Sequence, residues 1–149
     1  MLAKELMSSP VITVQPDATL KEIVQLLSHR QISSVPVVDA DEQVLGIIGW
    51  TELFPSTRYV GSPDVRAPAV FNRITDPQNI VESYQAAAGF TASEIMSPDF
   101  VYRDVDDNLD ELIYTMAEEK LHMIPIVQEG RLVGVVTRTD VVRFLAKAL

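Results

Sequence analysis

With 149 residues and no cysteine, the chain can bury about two-thirds of its unfolded surface in one domain or two small halves, while disulfides and thiol-ligated metals are excluded. Its net charge of −9 argues against a nucleic-acid surface, which needs a basic stripe, yet leaves room for a local basic pocket around one small anion. The opening MLAKELMSSP lacks the apolar core of a secretory signal and no apolar run approaches the roughly 18 residues of a membrane span, so a cytoplasmic protein is expected.

In chain order, PVITV (10–14) is a short β-rich run. Thr19 and Glu22 then have capping-box spacing ahead of a helix with Leu20, Ile23, Val24 and Leu27 on one face. VPVV (35–38), a turn at Asp39-Ala-Asp-Glu and VLGIIG (44–49) read as two strands, and a further helix opens near residue 51. Residues 54–91 begin irregularly, with Pro55, Gly61, Pro63 and Pro68. Asp76 as N-cap and Pro77 at the first helical position predict a helix over about 77–88, closed by Gly89. Thr91 and Glu94 form a fresh capping box before Met96. DFVYR (99–103) is again β-rich, and Asn108 with Glu111 starts a helix with Leu109, Leu112, Ile113 and Met116 inward. IPIV (124–127), a turn at Gln128-Glu-Gly-Arg, and LVGVV (132–136) are two more strands. A last helix starts near residue 138, with VVRFLAKAL (141–149) supplying its apolar face.

The second half repeats the first. Sliding residues 4–53 by 89 positions brings Met7 onto Met96, Asp17 onto Asp106, Leu20 onto Leu109, Glu22 onto Glu111 and Pro36 onto Pro125. After the QEGR turn the offset is 88, and Gly46 meets Gly134 while Thr51 meets Thr139. Two copies of some fifty residues are too few and too long for a solenoid, so a pseudo-symmetric pair sharing one core is expected. Each copy reads β-α-β-β-α.

Two such units, each with an h-P-h-V strand and a G-h-h-x-x-x-[DE] loop, resemble a tandem pair of CBS (cystathionine β-synthase) domains, the Bateman module. The resemblance covers about residues 3–53 and 92–148. It divides the chain into repeat one (1–53), an ordered insertion (54–91) and repeat two (92–149). It implies an α/β fold with the repeats related by a pseudo-two-fold axis, sheets packed together and helices outside. It also implies a homodimer built as a four-repeat disk. The implied function is regulatory, as in energy sensing: such modules bind AMP, ADP, ATP or S-adenosylmethionine and here would act on a separate effector protein. A ligand-free pair used for dimerisation and interaction is the alternative. No P-loop, G-x-S-x-G elbow or cysteine nucleophile suggests an enzyme.

The loop GVVTRTD (134–140) runs from a strand into a helix start, where free N–H groups favour a phosphate. Thr137 can donate to a phosphate oxygen, Arg138 can add charge, and the Asp140 carboxylate can accept both hydroxyls of a ribose. Thr-x-x-Asp at a helix start is equally close to a capping box that needs no ligand. The resemblance implies that Met7, Ser8, Pro10 and Ile12, with Ile32, Ser33 and Ser34, complete this better site around the base. In the first copy, GIIGWTE (46–52), Gly49 replaces Thr137, Trp50 replaces Arg138 and Glu52 replaces Asp140. A weaker site is expected there, from Trp50 and Glu52 with Leu121, His122 and Met123. Trp50 reads as a packing residue before it reads as a base-stacking platform. His122 is either a neutral imidazole at a turn or a phosphate partner, and His29 suits a helix C-terminus. Neither histidine has a metal-ligand spacing.

Overall fold

The computed structural model describes residues 1–54 and 80–149. The prolines 55, 63 and 68, Gly61 and the expected helix start at Asp76-Pro77 lie outside the described residues. The chain forms two compact units. Unit 1 is Met1–Ile12, Ala40–Val44 and Phe100–Leu149; unit 2 is Thr13–Asp39 and Leu45–Asp99. These units cross the sequence repeats. The first dozen residues, which open repeat one, pack with the strands of repeat two, and residues 92–99, which open repeat two, pack with those of repeat one.

Unit 1 holds a three-stranded sheet in the order β3 (Arg103–Asp104), β4 (Met123–Gln128) and β5 (Arg131–Thr137). β3 runs parallel to β4, and β4 pairs antiparallel with β5. The hairpin closes through Glu129 (φ 53°) and Gly130 (φ 79°). Two successive positive φ values make the type I′ turn whose twist suits two flanking strands, and glycine meets the second at no steric cost. Helices α5 (Leu109–Glu118) and α6 (Arg138–Ala148) complete the unit. Ala3, Val105, Leu112, Met116, Ile124, Ile126 and Val136 form its buried core, with Met7, Ile113, Leu121 and Val141 packed against it. Asn108 caps α5 by accepting the N–H groups of Asp110 (2.8 Å) and Glu111 (3.3 Å).

A proline inside β4 explains where the N-terminal arm goes. Pro125 stands opposite Val135 and has no N–H to give it. Val135 turns both backbone groups the other way, accepting from Ser8 N at 2.8 Å and donating to Ser8 O at 3.1 Å. The arm is tied further back as well, by Ala3 N to Asp107 O (2.9 Å) and Lys4 N to Val105 O (3.0 Å).

Unit 2 contains the two-stranded sheet of β1 (Ser34–Val38) and β2 (Val44–Gly49), with α1 (Leu20–Arg30), α2 (Trp50–Leu53), α3 (Ile80–Ala86) and α4 (Ala92–Ile95). Thr19 caps α1 reciprocally: its Oγ1 accepts from Glu22 N at 3.2 Å, and Glu22 Oε2 accepts from Thr19 N at 3.1 Å. Ile47 repeats the logic of Val135, exchanging bonds of 3.1 and 3.0 Å with Ser97.

Four expectations are corrected. Val24 is 40% exposed, because the stripe of Leu20, Ile23 and Leu27 fills the inner face of α1 and leaves residue 24 on its flank. PVITV contributes a single bridge, at Val14, since Pro10 and Pro16 at its borders withhold ladder donors. Gly89 does not adopt the left-handed conformation and α3 ends at Ala86. The turn after α3 is fixed instead by Ala88 O and Phe90 O, which accept from Lys21 N (3.1 Å) and Leu20 N (2.7 Å) of α1. Finally, α6 packs Val141 on the core but leaves Val142 and Leu145 exposed, and its buried side chain is Asp140.

Candidate nucleotide-binding loops

At the end of β5 the chain leaves the sheet because Thr137, extended at φ −111° and ψ 166°, caps α6. Its Oγ1 accepts from Asp140 N at 3.3 Å and donates to Asp140 Oδ2 at 2.8 Å, while its N–H donates to the same oxygen at 2.8 Å. The capping box expected from the residues is therefore present. Asp140 is 7% exposed, and its other oxygen, Oδ1, accepts from Ser8 Oγ at 2.9 Å. Arg143 Nη1 lies 3.6 Å from Oδ1, beyond hydrogen-bond range but close enough for charge pairing. The carboxylate thus has three donors and a cation beside it at the N-terminal, positive end of a helix.

Met7, Ser8 and the Thr137–Asp140 loop thus meet in unit 1. The Met7 thioether lies over Gly134, so close that a Cβ there would come within 2.5 Å of Sδ. Glycine is required at this position by the arm above it, not by its own backbone angles. Pro10 and Ile12 continue the arm without regular structure, Pro10 exposed and Ile12 half-buried. Arg138 sits in the loop but directs its guanidinium at the end of α5, donating to Leu121 O (3.0 Å) and Lys120 O (3.1 Å), and its backbone N–H reaches His122 O at 3.3 Å. Those carbonyls belong to the turn that follows α5, which opens at Lys120 with φ 54°. Met123 pairs with Thr137 across the hairpin. Leu121, His122 and Met123, grouped by sequence with Trp50 and Glu52, accordingly belong to unit 1. Partial burial and the Arg138 cation lower the His122 imidazole from its ordinary range.

The first copy is built the same way in unit 2. A Cβ on Gly46 would meet Met96 Sδ at 2.7 Å and Ser97 O at 2.7 Å, the counterpart of Met7 over Gly134. Glu52 Oε2 accepts from Gly49 N at 2.8 Å, keeping half of the cap although the hydroxyl is lost. Burial pushes the Glu52 carboxyl up, against the lowering by the N–H groups of Gly49 and Glu52 itself. Ser33 and Ser34, grouped by sequence with Asp140, stand beside Gly49: a Cβ there would lie 3.2 Å from Ser34 Cβ and 3.6 Å from Ser33 O. Threonine could not replace Gly49 without displacing Ser34. Ile32 closes α1 with an N–H bond to Leu27 O at 3.1 Å. Trp50 is 58% exposed, so it is not a core packing residue; its ring meets Phe54 edge-on at 6.4 Å.

Of two further contacts of Asp140, one escaped the sequence and the other was approached only through the resemblance. Arg143 follows Asp140 by three, a helical spacing that signals the pair. The Ser8–Asp140 bond spans 132 positions and has no local signal. Among the described residues, no cluster of three metal-ligating side chains occurs and no helix is long and apolar enough to cross a membrane.

Comparison with known proteins agrees with this architecture. The family model for the CBS domain matches residues 3–55 and 92–147. The CBS domain-containing protein CBSX1, chloroplastic, of Arabidopsis thaliana is 26% identical over 134 residues, covering 87% of this chain; the chain spans 57% of that relative's length. Among solved structures, the CBS domain pair of protein MJ0100 in complex with 5′-methylthioadenosine and S-adenosyl-L-methionine superposes with a TM-score of 0.71 at 21% identity, covering 100% of this chain and 98% of the other. CBSX2 in complex with AMP gives a TM-score of 0.73 at 19% identity, covering 99% and 97%. The mixed α/β fold is thus that of CBS-domain pair proteins. With the family model matched at both repeats, the chain belongs to the CBS domain family and carries the domain in tandem.

Proposed function

We propose that this protein is a regulatory module that binds an adenosine-containing ligand at the Thr137–Asp140 loop and passes the signal, as a homodimer, to a separate effector protein. One observation carries the reading. Asp140 is buried and presented at the N-terminus of an 11-residue helix, where its carboxylate can accept a ribose hydroxyl while helix N–H groups face a phosphate. The fold's match to pairs solved with AMP and with S-adenosylmethionine supports the ligand class. His122, its imidazole lowered from the ordinary range, adds a donor near the loop. Ligand binding shifts the module between states only by the difference in its affinity for them, so an effector reads that difference.

The test is calorimetric titration of nucleotide-free protein with AMP, ADP, ATP and S-adenosylmethionine, repeated with Asp140→Asn. The asparagine keeps a carbonyl oxygen for the Thr137 N–H and removes the charge, so it separates ligand recognition from helix capping. Micromolar binding of one of the four, lost or weakened at least tenfold in the variant, is expected for a charge-assisted contact to a hydroxyl. Silence with all four would favour a second reading, a ligand-free pair used for protein interaction. That reading draws on the carboxylate's internal bonds and on the exposed Val142 and Leu145 of α6.

A further inference from the structure

We propose that the Ser8 hydroxyl is a built-in stand-in for a ligand hydroxyl on Asp140, so that a diol binds this loop by exchange and Ser8 sets the affinity. The inference rests on the adenosine reading above and concerns what that ligand must displace. A carboxylate offers about four acceptor directions. Two of those on Asp140 are spent on Oδ2, where the Thr137 N–H and hydroxyl both donate at 2.8 Å and close the cap of α6. Opening them would unwind the helix start. Oδ1 carries the Ser8 hydroxyl at 2.9 Å, with Arg143 a further 3.6 Å contact. Oδ1 is therefore the exchangeable position, and Ser8 is its occupant.

The exchange needs little motion. Ser8 is exposed, and its backbone is pinned on both sides by Val135, at 2.8 and 3.1 Å. A single χ1 rotation between staggered wells withdraws the hydroxyl and leaves the arm in place. Unit 2 shows that the backbone does not force the contact. Ser97, the counterpart of Ser8, is pinned in the same way by Ile47, yet its Oγ donates to Asp99 O at 3.1 Å instead of to Glu52. The hook on the carboxylate is specific to the loop that has Asp and Thr.

Two consequences follow from the geometry. Ligand binding at the Asp140 loop carries the cost of one charge-assisted hydrogen bond, which selects ligands that return at least two donors or a phosphate contact. Ser8 acts on affinity through Asp140 and not through a contact of its own with the ligand.

The test titrates the full chain with AMP and, separately, with S-adenosylmethionine, using wild type, Ser8→Ala and Asp140→Asn. Ser8→Ala removes the competitor and is expected to bind at least about tenfold more tightly, the low end of what a hydrogen bond to a charged group contributes. Retained amide-exchange protection at Val135 would show that the arm is still seated. Binding by wild type that Asp140→Asn abolishes, together with equal or weaker binding by Ser8→Ala, overturns the exchange and leaves the ligand reading standing. No binding of either probe by wild type or Ser8→Ala overturns both.

Discussion

Replacing Gly134 by alanine tests the seating of the N-terminal arm, because two effects of opposite sign compete there. In an open strand, Gly→Ala stabilises by about 0.4–1 kcal/mol, chiefly by restricting the unfolded chain. At Gly134 the new Cβ would lie 2.5 Å from Met7 Sδ, 2.9 Å from Cγ and 3.1 Å from Cβ. Rotating the thioether away relieves the first contact. The last two involve the root of the side chain, so relief requires the arm to move while its bonds to Val135 resist. Overpacking of this kind costs about 1–3 kcal/mol, and strained bonds at Ser8 add to it, for a net loss of about 2 kcal/mol. Urea unfolding would read this as a lower midpoint at unchanged slope, and thermal unfolding as a fall of about 4–8 °C for a chain of this size. The double-mutant cycle with Met7→Ala sharpens the test. Met7→Ala alone costs about 2 kcal/mol or more from lost packing, but it also removes every clashing atom beyond Cβ, so the two losses must not add. A stabilised Gly134→Ala, or strict additivity with Met7→Ala, would refute the steric account of the arm.

Two further outcomes are expected. For Glu52, burial raises the folded-state value above the ordinary 4.5, so the native state binds more protons than the unfolded chain in the interval between them. Stability then falls as pH rises from about the ordinary glutamate value through the raised one, and Glu52→Gln should flatten that part of the urea-midpoint profile; an unchanged profile would refute the burial effect. Tyr84 donates its hydroxyl to Leu53 O, tying α3 to the end of α2, and Tyr84→Phe should cost about 1 kcal/mol with faster amide exchange in residues 80–86. Equal exchange in both proteins would show that the bond does not hold the helix.

Much of the fold was legible because it is local. Capping spacings located α1 and α5 within a residue, since Thr19 and Asn108 do bond the N–H groups their positions imply. The continuous apolar runs around Pro36 and Pro125, bounded by turn residues, located the hairpin strands. The path of the arms was legible only through the family resemblance, for a physical reason. Met7-Ser8 and Met96-Ser97 are alike, as are the Gly46 and Gly134 strands they cover, so composition fits either pairing. The resemblance set Met7 beside the second loop, and the geometry seats its thioether on Gly134. The site was half-visible in the same sense: Thr137 and Asp140 lie three positions apart in one loop, whereas Ser8 reaches Asp140 across most of the chain. Arg138 showed the limit of reading charge from sequence, because its guanidinium serves the carbonyls of Leu121 and Lys120.

The crossing of the arms also bears on what would become of either repeat alone. Within unit 1, Val135 presents an N–H and a carbonyl on the outer side of β5, and Ser8 covers both. Without residues 1–12 that strand would end the sheet as a bare edge, with the apolar hollow over Gly134 open beside it. Such an edge invites pairing with any other extended chain. Each repeat carries in its own first residues the cover for the other's edge, since Ser97 does for Ile47 what Ser8 does for Val135. A half-chain cut between the repeats would keep the adhesive strand and lose its guard, so aggregation is the natural fate of either half alone, and tandem duplication is what keeps both edges closed.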